Sequence, residues 1–147
     1  MPDGIPSGAM DQQIVVAGAL FSQARLLVAQ RQRPPELAGL WELPGGKVAL
    51  DESDADALAR ELREELGIKV TVGARLGSDV ALKAGMTLRA YRVSLISGTP
   101  QAHDHRALRW ITVDELDELS WVPADRAWLT DLAEALSPPT VRSPIAD

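Results

Sequence analysis

The segment between Ser53 and Gly67 constrains the fold most, because it encodes a helix together with both of its ends. Leu58, Leu62 and Leu66 recur at steps of four, which places them on one face of a helix. Ser53 is a favoured N-cap residue, and Gly67 stands where a left-handed C-terminal cap is expected. The sequence therefore predicts a helix whose leucine face packs against another layer.

Short apolar or alternating runs on both sides of this helix predict strands. They cover residues 14–21, 25–31, 69–77, 87–96 and 107–112. A second substantial helix is predicted over residues 124–136, with apolar positions at Ala127, Trp128, Leu132 and Leu136. Strands interspersed with two helices predict an α/β or α+β sandwich, with a mixed sheet between the helices.

The chain of 147 residues, 46% of them hydrophobic, has enough apolar material for one core. We expect one domain over residues 13–136, between a disordered arm at residues 1–12 and a disordered tail at residues 137–147. The sequence has no cysteine, which excludes disulfides and thiolate metal sites.

Charge and hydropathy argue against two classes of partner. The net charge of −6 disfavours a general affinity for DNA or RNA, which rests on a basic surface. No basic, apolar leader opens the sequence, and no apolar run approaches the roughly 20 residues of a membrane span. We therefore expect a cytoplasmic protein with no nucleic-acid or membrane partner, and the oligomeric state is left open.

Acidic residues crowd the predicted helix. Glu61, Glu64 and Glu65 fall within one sector, where like charges at i,i+4 cost roughly 0.2–0.5 kcal/mol per pair. Glu52, just before the N-cap, could fold over the same surface as a fourth carboxylate. Such a cluster of hard oxygen ligands suits Mg²⁺ or Mn²⁺, and a solvated acidic face is the alternative.

Two further features favour a metal site on this helix. Arg60 lies one turn from Asp56 and from Glu64, so pairing with either would fix a carboxylate in place. The pair Gly45 and Gly46 permits a close approach of backbone oxygen to an ion. The helix is thus predicted to be a metal platform for phosphate chemistry.

These residues form a spaced pattern: Gly46, five residues, Glu52, seven residues, then RELREELGI at residues 60–68. The pattern resembles the Nudix box at every specified position. The strand QIVVAGAL, the segment WELPGGK and the strand ALRW make the chain similar to the MutT-type branch over most of residues 12–136. The resemblance implies an α/β/α sandwich with a mixed β-sheet, and a metal-dependent hydrolase that converts a nucleoside triphosphate into the monophosphate and pyrophosphate.

The resemblance also implies roles for residues of the box and of one loop. The implied metal ligands are Glu61, Glu64, Glu65 and the carbonyl of Gly45 or Gly46. The candidate catalytic residues are Glu52, which would support the ligands or take a proton from water, Arg60, Glu64 and Asp104.

Outside the box the resemblance implies fewer contacts. Arg31 falls where MutT-type proteins carry a substrate-contacting arginine, and Lys47 follows the paired glycines, so either could meet a phosphate or lie on the surface. Asp104 aligns with an acidic position that adds a ligand or base from a mobile loop, although this loop could equally be solvated. His103 and His105 are predicted to be loop residues and not ligands.

Asp125 stands just before the last helix, at a place where MutT-type proteins read the base. An ionised Asp only accepts hydrogen bonds, which suits cytosine N4, whereas the Asn found in many readers of 8-oxoguanine both donates and accepts. The sequence therefore predicts CTP, dCTP and their 5-methyl forms as substrates, with 8-oxo-dGTP second. A role of Asp125 as a helix cap is the alternative.

Two interpretations from other classes stay open. One is a nucleotide-binding module that has no turnover, and the other is an acidic domain whose helix docks a basic partner. Metal-dependent release of pyrophosphate would separate the enzyme from both. Hydrolysis of ADP-ribose or of a nucleotide sugar is disfavoured by the short chain.

Overall fold

The computed structural model describes residues 13–137 of the chain. The arm predicted at residues 1–12, and all of the predicted tail except its first residue, lie outside the described residues. The strands are β1 (Gln13–Ser22), β2 (Arg25–Gln30), β3 (Trp41–Glu42), β4 (Gly45–Lys47), β5 (Lys69–Ala81), β6 (Met86–Ser97) and β7 (Ala107–Ile111). The α-helices are α1 (Asp54–Leu66) and α2 (Leu129–Leu136), and 3₁₀ helices span Lys83–Gly85, Val113–Glu118 and Pro123–Trp128. Within residues 13–137 no helix is long and apolar enough to cross a membrane.

The strands form one mixed sheet in the order β3-β2-β1-β6-β5, with β4 paired to β1 and β7 paired to β2. β1 and β6 are parallel, and the other pairs are antiparallel. In the pairing of β4 with β1, Gly46 lies opposite Val16 and Gly45 lies opposite Ala17. The paired glycines are therefore placed at the middle of the sheet, directly beneath α1.

α1 covers one face of the sheet, as its leucine pattern predicts. Leu58, Leu62 and Leu66 are buried against Val16 and Leu20 of β1. The ends of α1 are also as predicted, since the Ser53 hydroxyl accepts from the N–H of Asp56 at 3.1 Å and Gly67 has a φ of 72°. Local sequence rules thus determine both the extent and the orientation of this helix.

α2 covers the opposite face. Leu132 and Leu136 pack with Ala17 and Ala19, whose side chains alternate along β1 with those that face α1. Trp128 is buried in the same cluster. The predicted sandwich, a mixed sheet between helices, is confirmed.

The closing helix differs from its prediction, because its first part is the 3₁₀ helix Pro123–Trp128 and only Leu129–Leu136 is α-helical. With about three residues per turn, Asp125 and Trp128 share the buried side, and Ala127 is exposed. Of the four apolar positions named for the closing helix, Trp128, Leu132 and Leu136 are buried and Ala127 is not.

The sequence does not predict β3 and β4, because segments of two and three residues carry no periodicity. β5 also extends four residues beyond its predicted end. Val80 and Ala81 still pair with Leu88 and Thr87 of β6, so the cross-strand partner keeps this part of the chain extended.

Candidate active site

Arg60, on α1, is surrounded by carboxylates. Its Nε and Nη2 donate to the two oxygens of Glu52 at 2.8 and 2.9 Å, which makes a bidentate pair. Its Nη1 donates to Glu61 at 3.1 Å and to Glu64 at 3.3 Å. Among the described residues Arg60 makes no pair with Asp56, so of the two partners that its spacing allowed only Glu64 is used.

Glu52 lies over the surface of α1, as predicted, and is fully engaged there. Besides Arg60, it accepts from the backbone N–H of Ala49 at 2.9 Å. Hydrogen bonds from Arg60 and then from Ala49 lower the pKa of Glu52 to about 2. The carboxylate is therefore ionised at any physiological pH, and it holds Arg60 in place.

The paired glycines are required by close packing. A Cβ on Gly45 would lie 1.9 Å from the carbonyl oxygen of Val16, because β4 crosses β1 there. A Cβ on Gly46 would lie 2.3 Å from the carboxyl carbon of Glu61. The absence of a side chain at Gly46 thus leaves the space in which the Glu61 carboxylate rests against the backbone.

Glu65 is the most perturbed acid in this cluster. Its Oε1 is buried and has no hydrogen-bond partner within the described residues. Burial, followed by the charge of the neighbouring Glu61, raises the pKa of Glu65 to about 9. A buried carboxyl beside a second carboxyl is costly unless a cation neutralises the pair.

The carboxylates of α1 do not yet converge on one point. Within residues 13–137 no three His, Asp or Glu side chains stand in the arrangement of a metal site. Arg60 accounts for this, because its guanidinium bridges Glu61 and Glu64. The residues nevertheless fit Mg²⁺ or Mn²⁺, since Glu65 offers an unpartnered oxygen and Glu61 lies against the backbone of Gly46.

A cavity of about 700 Å³ is lined by Gly45 and Gly46 and extends to Val122 and Asp125, before α2. Its apolar lining includes Val15, Leu37, Leu82, Leu88 and Val122. A drug-sized or base-sized ligand is typically bound in such a space by apolar walls and a few polar groups.

Asp125 supplies a buried polar group in the wall of this cavity. It is 4% exposed, and its Oδ2 accepts from the backbone N–H of Leu43 at 2.8 Å. Burial raises the pKa of Asp125 to about 8, although the bond from Leu43 opposes the shift. The raised pKa favours the neutral acid, whereas the cytosine prediction assumed the ionised form.

A second, polar cavity of about 170 Å³ adjoins the first. Both are lined by Arg31, Glu42 and Gly45, and the polar one is also lined by Glu65 and Asp104. The structure therefore brings Arg31, Asp104 and a carboxylate of the box to one small space.

Arg31 is held in that space by a residue that the sequence did not single out. Its Nη1 donates to Glu42 at 3.0 Å, and the other oxygen of Glu42 lies 2.9 Å from Nε2 of His105. His105 is a loop residue, as predicted, yet only 9% exposed. The one available signal was the position of Glu42 between the apolar Trp41 and Leu43 in the segment leading to the glycines.

The loop that carries Asp104 is docked on the end of α1. The backbone N–H of Gln101 donates to the carbonyl of Leu66 at 3.0 Å, and that of His103 to the carbonyl of Glu65 at 3.1 Å. These bonds satisfy carbonyls that a helix end leaves free. They also place Asp104 beside Glu65 at the polar cavity.

Lys47 is placed differently from the other candidates. Its carbonyl accepts from Arg60 at 3.1 Å, while its side chain is exposed and lines neither of the two cavities. A phosphate contact of Lys47 stays a prediction, and the backbone of this residue supports Arg60.

Comparison with known proteins gives consistent similarities. The NUDIX domain family matches residues 11–132. The chain is 60% identical over 131 residues to a Mycobacterium tuberculosis protein named "Putative 8-oxo-dGTP diphosphatase 2", covering 87% of this chain and 93% of that one. It is 45% identical over 113 residues to the CTP pyrophosphohydrolase of Escherichia coli, covering 76% and 84%.

Solved structures show the same relationship. The solution structure of the E. coli ORF135 protein superposes with a TM-score of 0.75 at 40% identity, covering 88% of this chain and 94% of that one. A MutT NUDIX hydrolase from Burkholderia pseudomallei superposes with a TM-score of 0.71 at 32% identity, covering 82% and 97%.

Proposed function

Because this chain belongs to the Nudix family, we propose that it hydrolyses nucleoside triphosphates to the monophosphate and pyrophosphate, with Mg²⁺ or Mn²⁺ as cofactor. The observation that carries the proposal is the buried oxygen of Glu65, which has no hydrogen-bond partner in residues 13–137 and lies in the wall of a polar cavity that adjoins a larger, mostly apolar one. A nucleotide likewise has a planar end with apolar faces and an anionic end, so the two cavities match its two parts.

The carboxylates of α1 have two roles in this proposal: some bind the cation, and one can also take part in the reaction. Glu61 and Glu65 would hold the cation, together with the backbone of Gly45 or Gly46. A divalent cation held by these residues would polarise a phosphoryl oxygen and lower the pKa of the attacking water. The side chain of Glu64 is 57% exposed and touches Arg60 at 3.3 Å, so it can turn to ligate the ion or to accept the proton of the water.

Glu52 and Arg60 serve as positioning residues in this scheme. A carboxylate with a pKa of about 2 is too weak a base to take a proton from water at neutral pH. Its bidentate bond instead keeps Arg60 against α1, and Arg60 limits the repulsion between Glu61 and Glu64 until a cation is bound. Charge neutralisation and positioning are what phosphoryl transfer needs most.

The apolar cavity would hold the base, and we place Asp125 against its polar edge. A neutral carboxyl presents one donor and one acceptor, which matches N3 and the N4 amine of cytosine. Most of the remaining lining is apolar, with Arg31, Glu36, Glu42 and Lys83 as further charged residues. Apolar walls suit cytosine and a 5-methyl group better than a base with more polar atoms to desolvate. CTP, dCTP and their 5-methyl forms are therefore the proposed substrates, in keeping with the similarity to a CTP pyrophosphohydrolase.

The second candidate is 8-oxo-dGTP, and the neutral form of Asp125 favours it. The neutral acid could donate to O6 and accept from the oxidised N7–H, a pattern that unmodified guanine lacks. The relative at 60% identity carries the corresponding name.

The test is a panel of CTP, dCTP, 5-methyl-dCTP, UTP, dGTP and 8-oxo-dGTP, with pyrophosphate detected and Mg²⁺ supplied. The highest kcat/KM is expected for a cytosine nucleotide. A higher value for 8-oxo-dGTP would replace the proposed substrate with the second candidate. No pyrophosphate from any nucleotide would favour the binding module or the acidic interaction domain.

A further inference from the structure

Arg33 lines the polar cavity together with Arg31, and the two guanidinium groups are held very differently. Arg31 is bonded to Glu42, whose side chain is only 15% exposed. Arg33 is paired with Asp104, and these side chains are 63% and 52% exposed. An exposed ion pair contributes about 0–1 kcal/mol, so Arg33 can exchange its partner at little cost.

Two side-chain hydrogen bonds nevertheless hold the segment of Arg33 at the cavity. The carbonyl of Arg33 accepts from Nε of Arg31 at 3.0 Å, and the neighbouring Gln32 donates to the carbonyl of Asp104 at 2.6 Å. A guanidinium on a segment held in this way, with an exposed and weakly bound side chain, is suited to meeting an incoming anion.

The arrangement of the cavities indicates which part of a nucleotide Arg33 would meet. With the base in the apolar cavity, the boundary at Arg31 and Gly45 receives the proximal phosphate. The polar cavity beyond that boundary then receives the distal phosphates. A terminal phosphate carries more negative charge and more acceptor oxygens than one solvated carboxylate, and it also allows bidentate contact with arginine, so it can replace Asp104 as the partner of Arg33.

We propose that Arg33 binds the terminal phosphates of the substrate, and that it gives up its ion pair with Asp104 when the substrate enters. The inference rests on the proposed function. The exchange releases the Asp104 carboxylate beside Glu65, so that entry of the triphosphate itself makes Asp104 available to the reaction.

The experiment measures binding of two product-sized probes, pyrophosphate and CMP, by calorimetry with Mg²⁺ present. Arg33→Gln should weaken pyrophosphate binding roughly tenfold, the low end for a hydrogen bond between charged groups because Arg33 is exposed. Binding of CMP should be unchanged. Arg92→Gln, which removes an arginine that lies over Phe21 and lines neither cavity, is the matched control and should alter neither probe.

Asp104→Asn provides a signature that a merely structural role would not show. It should tighten pyrophosphate binding, because Arg33 no longer leaves an ion pair, and the gain should shrink in the Arg33→Gln background. Equal pyrophosphate affinity in wild type and Arg33→Gln would overturn the proposal, as would equal weakening of both probes. Failure of the proposed function is distinguishable, since it would appear as no pyrophosphate release from any triphosphate by the wild type.

Discussion

The raised pKa of Asp125 leads to a prediction about how stability depends on pH, which the variant Asp125→Asn tests. In the wild type Oδ2 accepts from the N–H of Leu43, and the asparagine carbonyl can keep that bond. The substitution replaces a buried acid, whose pKa burial raises to about 8, with a group that does not titrate. Any difference between the two proteins that depends on pH therefore reports on Asp125.

The sign and size follow from the two pKa values of the acid. The folded value of about 8 lies above the ordinary 3.8, so the folded state binds the proton more tightly. The contribution of this proton to the free energy of unfolding is complete below about pH 4. It is lost as pH rises towards 8, at about 1.4 kcal/mol per pH unit. Between pH 5 and pH 7 the wild type should lose roughly 3 kcal/mol relative to Asp125→Asn.

The assay is urea unfolding of both proteins at several pH values without divalent cations, taking the difference between the two free energies of unfolding. Glu65 and other acids titrate in both proteins and cancel in that difference. If the two stability curves run parallel from pH 5 to pH 7, Asp125 is ionised in the fold, and the argument for a neutral donor at the base is refuted.

The remaining predictions concern the reaction. Glu65→Gln should lower kcat at least about 100-fold and abolish the rise in Tm on adding Mg²⁺. Glu118→Gln, an exposed control, should change neither quantity. A normal Tm response to Mg²⁺ in Glu65→Gln would show that Glu65 is not a metal ligand. Gly46→Ala should lower kcat roughly tenfold or more, because the added Cβ would lie 2.3 Å from the Glu61 carboxyl carbon. At Gly73 the nearest atom to an added Cβ is 3.4 Å away, so the kcat of Gly73→Ala should be near normal. Equal activity of these two alanine variants would contradict the packing argument. Asp104→Asn should lower kcat more than it raises KM. An unchanged kcat would show that Asp104 takes no part in the reaction and that its loop is only solvated.

The parts of the protein that were predictable obey rules of short range. α1 was predictable from Ser53 to Gly67, because capping and the spacing of Leu58, Leu62 and Leu66 act within a few turns. The box was recognisable for the same reason, since Glu61, Glu64 and Glu65 share one helix and Gly46 and Glu52 stand at fixed spacing just before it.

The side chains that hold Arg31 and Asp104 in place were not predictable in this way. Glu42 meets His105 across 63 positions of the chain, and Arg33 meets Asp104 across 71. Neither pair leaves a periodic signal, because each partner lies in a loop or a two-residue strand. The loop around Asp104 could be placed beside α1 only once the folded chain brought them together.

The sequence by itself determined which residue types are present for the chemistry: four carboxylates and an arginine at box spacing, two glycines ahead of them, and an acid before the last helix. The tertiary structure decided their states. Hydrogen bonds from Arg60 and Ala49 lower the pKa of Glu52, burial beside Glu61 raises the pKa of Glu65, and burial in the folded core raises the pKa of Asp125. Composition and spacing specify the groups, but the free energy of a charge depends on the solvent and partners around it, and only the folded chain supplies those.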